Sequence, residues 1–265
     1  MLVQVFFILA ALTYAGASLA FAVERSGDSE RARTLARWLL AVAALLHFIT
    51  IGAQSAGGAH PFGTVWRVSS FGAMITVALF FVVARGRSLA AIGALLAPLG
   101  LLGLVAGVAL DVDPASRVPA SVGLTRLHIG LATAGLAAFI LAGVVAAIYL
   151  TMERRLRSRK FKPGKGPGIS LTGLDRLHHR VMMAATPIFT LAIITGVLWI
   201  VRAGGVASLG DRWFELAIGG VAWIASVAVL AMRAAFGIRG RRAAILTLVA
   251  FGCTLAILGY YGVRA

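Results

Sequence analysis

Residues 124–151 read LTRLHIGLATAGLAAFILAGVVAAIYLT. Arg126 and His128 are the only charged or imidazole side chains in that run, and both stand near its start. At about 1.5 Å per residue, roughly 20 apolar residues cross the ~30 Å hydrocarbon core of a bilayer, so this run is long enough to span as one helix. It does not alternate polar and apolar positions as a barrel strand would. A helix closes its backbone hydrogen bonds internally, which any segment in hydrocarbon must do.

The rest of the chain repeats the pattern. Of 265 residues, 60% are hydrophobic and 13% charged, with a mean hydropathy of +0.94. A water-soluble domain of this size has too little interior to hide that composition. Eight spans are expected, at 2–23, 38–56, 65–84, 89–110, 123–151, 181–202, 213–232 and 243–263. The fold class is therefore all-α, a polytopic membrane bundle forming a single transmembrane domain over 1–265. The first span has no positively charged lead-in and no small-residue cleavage site, and reads as a retained helix. Cys253 is the single cysteine, so no intramolecular disulfide can form.

Lys and Arg set the expected orientation. The segments 24–37, 85–88, 152–180 and 233–242 carry 4, 2, 9 and 4 of them, 19 of the 25. The opposite side carries Arg67, Arg117, Arg126, Arg202, Arg212 and Arg264. This asymmetry predicts that the basic loops, including a basic linker at 152–180, are cytoplasmic and that both termini lie outside. The net charge of +16 then reflects topology and attraction to anionic headgroups. Nucleic acid is not an expected partner, because the basic run at 153–168 has neither aromatic platforms nor a folded reader. The lipid bilayer is.

Small residues at 103/107 and 130/134 (Gly103, Gly107, Gly130, Ala134) have the spacing that lets membrane helices approach closely. Pro98 and Pro187 sit inside spans and should bend them. These features describe packing and leave function open.

The intramembrane histidines carry more. His47, in AVAALLHFITIG (41–52), lies about seven residues from the outer end of its span, and His128 about five or six from the outer end of its own, so both stand roughly 8–11 Å deep. Thr50 and Gln54 follow His47 at i+3 and i+7, while Thr125, Ala132 and Gly135 flank His128 at i−3, i+4 and i+7. Each set shares one helix face. An ionisable group in a span needs a partner and is a functional hypothesis by default. Three readings stay open: each imidazole bonds a carbonyl or hydroxyl of a neighbouring helix, the pair binds haem as axial ligands, or they form a proton or quinone site. Under the haem reading, Arg67 and Arg126 at the outer rim are the expected propionate contacts. His60, in the outer loop SAGGAHPFGTVW (55–66), is a weaker ligand candidate beside its reading as a solvated loop residue. His178 and His179 adjoin Arg176 and Arg180 and belong with an interfacial polar cluster.

No GxSxG, phosphate loop or zinc-type His/Cys spacing is present, and FKPGKGPGIS (161–170) lacks the strand and helix of a nucleotide site. A solute transporter is disfavoured by the absence of a charged pathway or an inverted repeat.

TRLHIGLATAGLAAFILAGVVAAIYLTMERRLR (125–157), LAIITGVLWI (191–200) and GIRGRRAAILTLVAFGCTLAILGYYGV (237–263) resemble, in order, segments of the cytochrome c assembly (CcsA/HemX-like) integral membrane proteins. The likeness covers most of the chain and is strongest from 120 onward. It implies a haem-handling protein of the bacterial cytoplasmic membrane that works as an assembly factor without catalytic turnover. It further implies non-covalent b-type haem on His47 and His128, and membrane-protein partners in cytochrome c maturation or a respiratory complex. That family carries a tryptophan-rich outer signature ending in Trp-Asp-Pro-Lys-Glu. Here the corresponding segment, RAGGVASLGDRWFELAIGGVAWIA (202–225), keeps only Asp211, Trp213 and Trp223, and Ala231 stands where a histidine is expected. Two alternatives follow: a non-catalytic or regulatory subunit that has lost haem delivery, and a membrane haem b/quinone redox subunit.

Overall fold

The structure, a computed structural model, describes residues 1–27, 29–83, 90–110, 123–158 and 170–264. The 85–88 loop, Arg117 and the centre of the 152–180 segment lie outside the described residues. Those described form α1 (Leu2–Gly27), α2 (Glu30–Ala56), α3 (Val65–Val83), α4 (Ala90–Ala109), α5 (Gly123–Arg157), α6 (Leu171–Gly204), α7 (Ser208–Asp211), α8 (Trp213–Phe236) and α9 (Arg241–Arg264). Eight of these are long and apolar enough to cross a membrane, as the sequence predicts. The exception is α7, a single turn between α6 and α8 that hydropathy does not reveal.

Three helices outrun their apolar runs at the basic end. With 35 and 34 residues, α5 and α6 measure about 52 and 51 Å, well beyond the hydrocarbon thickness. Helix therefore occupies both ends of the 152–180 segment, which the sequence reading treats as linker. Polar residues stop a span without stopping a helix. The last turns of α5 hold a Glu153–Arg157 pair at 2.8 Å, spaced i,i+4. Ser170 caps α6 by accepting the Gly173 N–H at 3.0 Å. Ser29 likewise caps α2 from Ala32 at 3.3 Å, which starts that helix at Glu30.

The spans fall into two groups with the same order of packing. In the first, α1, α2, α3 and α4 each pack on their chain neighbours and α4 closes against α1. In the second, α5, α6, α8 and α9 do the same, with α9 closing against α5. The two groups thus share one order of neighbours. The main seam joins α3 to α5. There the Thr76 hydroxyl, bonded to Gly72 O at 2.8 Å, lies 3.3 Å from Ala137 O.

Packing in the first group depends on the glycines of α4. Phe21 of α1 lies over Gly93, and a Cβ at Gly100 would stand 2.5 Å from the Tyr14 ring. On another side, Gly103 meets Ala73 and Gly107 meets Ser70, both of α3. The small-residue pair at 103/107 is thus a helix contact, as its spacing predicts. Apolar side chains gain nothing by leaving lipid for protein, so this closeness is held by dispersion and interhelical hydrogen bonds. A valine at Gly103 should cost about 1–3 kcal/mol through overpacking. The detergent-solubilised Gly103→Val protein should unfold at a clearly lower temperature, whereas Gly52→Val, whose added Cβ meets nothing within 4 Å, should not.

Candidate functional site

His47 is wholly buried in the first group. Its Nδ1 lies 3.3 Å from the Tyr14 hydroxyl of α1, and its Nε2 lies 2.8 Å from the Ser70 Oγ of α3. The Tyr14 and His47 rings meet edge to face, 5.9 Å between centroids. Both nitrogens are therefore engaged, and the imidazole ties three helices together against α4. Tyr14 reaches it over Gly100 and Ser70 reaches it over Gly107. Two turns beyond, Gln54 donates to Gly107 O at 3.0 Å. The polar stripe expected on this face does point inward, and every polar atom named along it has a partner.

His128 is half-buried and faces the second group. Its Nδ1 lies 3.0 Å from Ala192 O of α6, with Thr195 Oγ1 at 3.4 Å. A carbonyl can only accept, so Nδ1 carries the proton and the lone pair is on Nε2. Among the described residues, no hydrogen-bond partner meets Nε2. A histidine that donates Nδ1–H to a carbonyl and keeps Nε2 available has the arrangement usual for a metal-ligating imidazole. The two histidines of matched depth thus turn to different neighbours: His47 to α1 and α3, His128 to α6.

The other expected site residues surround the same end of the bundle. His60 is half-buried and accepts the Phe62 N–H at Nδ1, 3.2 Å away, with its ring 5.3 Å from that of Phe62. Phe62 in turn stacks edge-on against Phe71 of α3 at 5.6 Å, and its ring tip reaches Gly130 of α5. Because that backbone N–H occupies the Nδ1 lone pair, neutral His60 carries its proton on Nε2. Arg67 is half-buried beside the Gly63 turn, and Arg126 is exposed on α5. In the 202–225 segment, Arg212 lies 5.1 Å above Trp199 and 3.7 Å from Glu215, while Tyr261 donates to Glu215 at 3.1 Å. Trp213 stands exposed, and Trp223 turns to Thr190 of α6 at 2.9 Å. Ala231 is also exposed.

At the basic end, much of the sequence that carries the family likeness converges on Asp175. Its carboxylate pairs with Arg233 at 3.0 Å and accepts the Gly240 N–H at 3.2 Å. Gly237 and Gly240 have φ of 62° and 74°, a left-handed backbone that favours glycine, and Tyr149 leaves no room for a side chain at Gly240. His178 is buried and joins Thr247 of α9 at 2.7 Å. The GIRGRRAA motif and the Tyr-Leu-x-x-Glu-Arg exit of α5 thus join α5, α6, α8 and α9 at one end. The histidine candidates lie toward the other.

Sequence reasoning missed Tyr14, Ser70, Ala192, Thr195, Gly196 and Asp175. A Thr-Gly pair at 195–196 inside an apolar run was an available signal. The backbone carbonyl of Ala192 left none, since any residue supplies one. Replacing His47 with alanine should leave the Tyr14 and Ser70 hydroxyls unpaired and open a cavity, at a cost of about 2–4 kcal/mol. Tyr14→Phe and Ser70→Ala should each cost about 1 kcal/mol. Equilibrium unfolding in mild detergent checks both, and equal costs for all three changes would contradict the geometry.

Compared with known proteins, the chain matches the family model described as cytochrome C assembly protein over residues 5–265. Neither a curated protein nor a solved structure gave a significant match. With a match over nearly its whole length, this bundle of eight membrane-length helices belongs to the cytochrome c assembly protein family, and its role lies in cytochrome c biogenesis.

Proposed function

We propose that this protein holds haem during cytochrome c assembly, with Nε2 of His128 as an axial ligand. The observation that carries the reading is the Nδ1–Ala192 O hydrogen bond, which leaves Nε2 with its lone pair and no hydrogen-bond partner among the described residues. Among the described residues, no three His, Cys, Asp or Glu side chains gather as ligands for a bare metal ion. Haem asks only for an axial nitrogen and an apolar surround. Exposed Leu127, Leu191, Ile194 and Leu198 supply that surround on α5 and α6. Arg126 and Arg67 are the propionate candidates, at the end of the bundle nearest His128.

His47 fits an axial role poorly as it stands. To ligate iron it would have to give up its 2.8 Å bond to Ser70 in a wholly buried position. We therefore assign the ligand to His128 alone and give His47 a structural part. When bound, haem supplies an iron centre and a flat apolar macrocycle; the protein supplies an oriented imidazole and guanidinium groups. The basic end is assigned to the cytoplasm of a bacterium, which puts the His128 end on the outer face, where cytochromes c are assembled.

A second reading, a subunit that supports a partner complex without delivering haem, is favoured by one observation. The two tryptophans of α8 do not come together: Trp213 stands exposed with its ring 5.9 Å from that of Phe214, and Trp223 turns to Thr190 of α6. Visible spectra of the protein purified from haem-replete cells decide between the two. The proposal expects a Soret band and, on reduction, an α-band, both lost in His128→Ala and kept in folded His47→Ala. A colourless wild-type protein defeats it, and loss of the bands in folded His47→Ala restores the two-histidine arrangement.

A further inference from the structure

The α6 turn that faces His128 is built in an unusual way for the middle of an apolar span. Thr195 has one hydroxyl hydrogen, and its oxygen lies 2.8 Å from Leu191 O and 3.0 Å from Ala192 O within its own helix. That hydrogen is drawn back to the helix backbone. Only lone pairs of Thr195 Oγ1 are then left for Nδ1 of His128, 3.4 Å away. Both groups opposite Nδ1, the Ala192 carbonyl and the Thr195 oxygen, are acceptors. The carbonyl cannot face an Nδ1 lone pair, and Thr195 could donate to one only by giving up its bond to its own helix.

Gly196 sets the ring's position. A Cβ there would lie 2.8 Å from Cε1 of His128, closer than real Cβ atoms come, and a tight 3.2 Å from Nδ1. Any larger residue would lift the imidazole from α6 and stretch its bond to Ala192. Glycine is about 1 kcal/mol worse than alanine within a helix, so this position favours clearance over helix stability. The backbone of α6 is ordinary helix at this point, and the need for glycine comes from the approach of the ring.

We propose that Gly196 and Thr195 are positioning residues: together with the Ala192 carbonyl, they lock His128 as the Nδ1–H tautomer with its ring against α6, so that the Nε2 lone pair is held in one direction. This rests on the reading of His128 as an axial ligand only for its purpose; the lock itself is a property of the protein without haem. Orienting bonds of this kind are commonly worth about 10–100-fold in metal affinity.

The test uses the full-length, haem-free protein in detergent micelles with 15N-labelled histidine. The His128 signals are identified by their absence from His128→Ala. Long-range 1H–15N correlation should show His128 as a single Nδ1–H tautomer in the wild type. Gly196→Ala should give a mixture of tautomers, and Thr195→Val should shift the balance in the same direction, while Thr195→Ser keeps the wild-type pattern. An Nε2–H tautomer in the wild type overturns the proposal. So does an unchanged His128 signal in folded Gly196→Ala. Where that variant does not fold, Thr195→Val against Thr195→Ser makes the same decision. Titration of the same proteins with haem should show about 10–100-fold weaker binding by Gly196→Ala. A locked tautomer in a protein that never takes up haem defeats the ligand reading and leaves the lock standing.

Discussion

Hydrocarbon offers no hydrogen bonds, and the rest of this structure is arranged around that constraint. Helix formation closes most of the backbone in a span, and a polar side chain there is stabilised by a partner within the bundle. His47 meets the demand with two hydroxyls, one from α1 and one from α3. Those hydroxyls reach it only because α4 presents glycine where Tyr14 and Ser70 pass. The glycine face, the close helices and the satisfied imidazole are one arrangement. None of the three could be kept if another were lost.

The same constraint separates the two histidines. Both nitrogens of His47 meet hydroxyls, so its lone pair is engaged within the bundle and the ring joins α1, α2 and α3. His128 satisfies one nitrogen with a carbonyl, and among the described residues the other meets no hydrogen-bond partner. Two residues alike in type, depth and surrounding composition are thereby given different chemistry. What distinguishes them is which atoms lie within about 3 Å, and depth carries no information about that.

The ionic fastening and the histidine candidates are also divided between the two ends of the bundle. The Asp175–Arg233 pair, the glycine turn at 237–240 and the His178–Thr247 bond fasten the second group at its basic end. Ion pairs are placed there because charged groups remain near the headgroups, where burying them is least costly. The opposite end carries the half-buried histidines, the arginines and an aromatic collar of Trp199, Phe214, Tyr260 and Tyr261, suited to an interface that is apolar on one side and wet on the other.

The eight spans, the helical class and the family were legible in the sequence because hydropathy and motif order are properties of the chain taken in line. The inward direction of the His47 stripe was legible too, since Thr50 and Gln54 follow it at helical spacing. The extension of α5 and α6 beyond their apolar runs was not, because polar residues end a membrane span but carry no signal against helix. Tertiary structure alone decided the partners of each imidazole. Tyr14 is 33 residues from His47, and Ala192 is 64 from His128. Contacts at such separations are set by how helices pack, and the decisive acceptor for His128 is a backbone carbonyl, an atom that every residue has and no sequence marks.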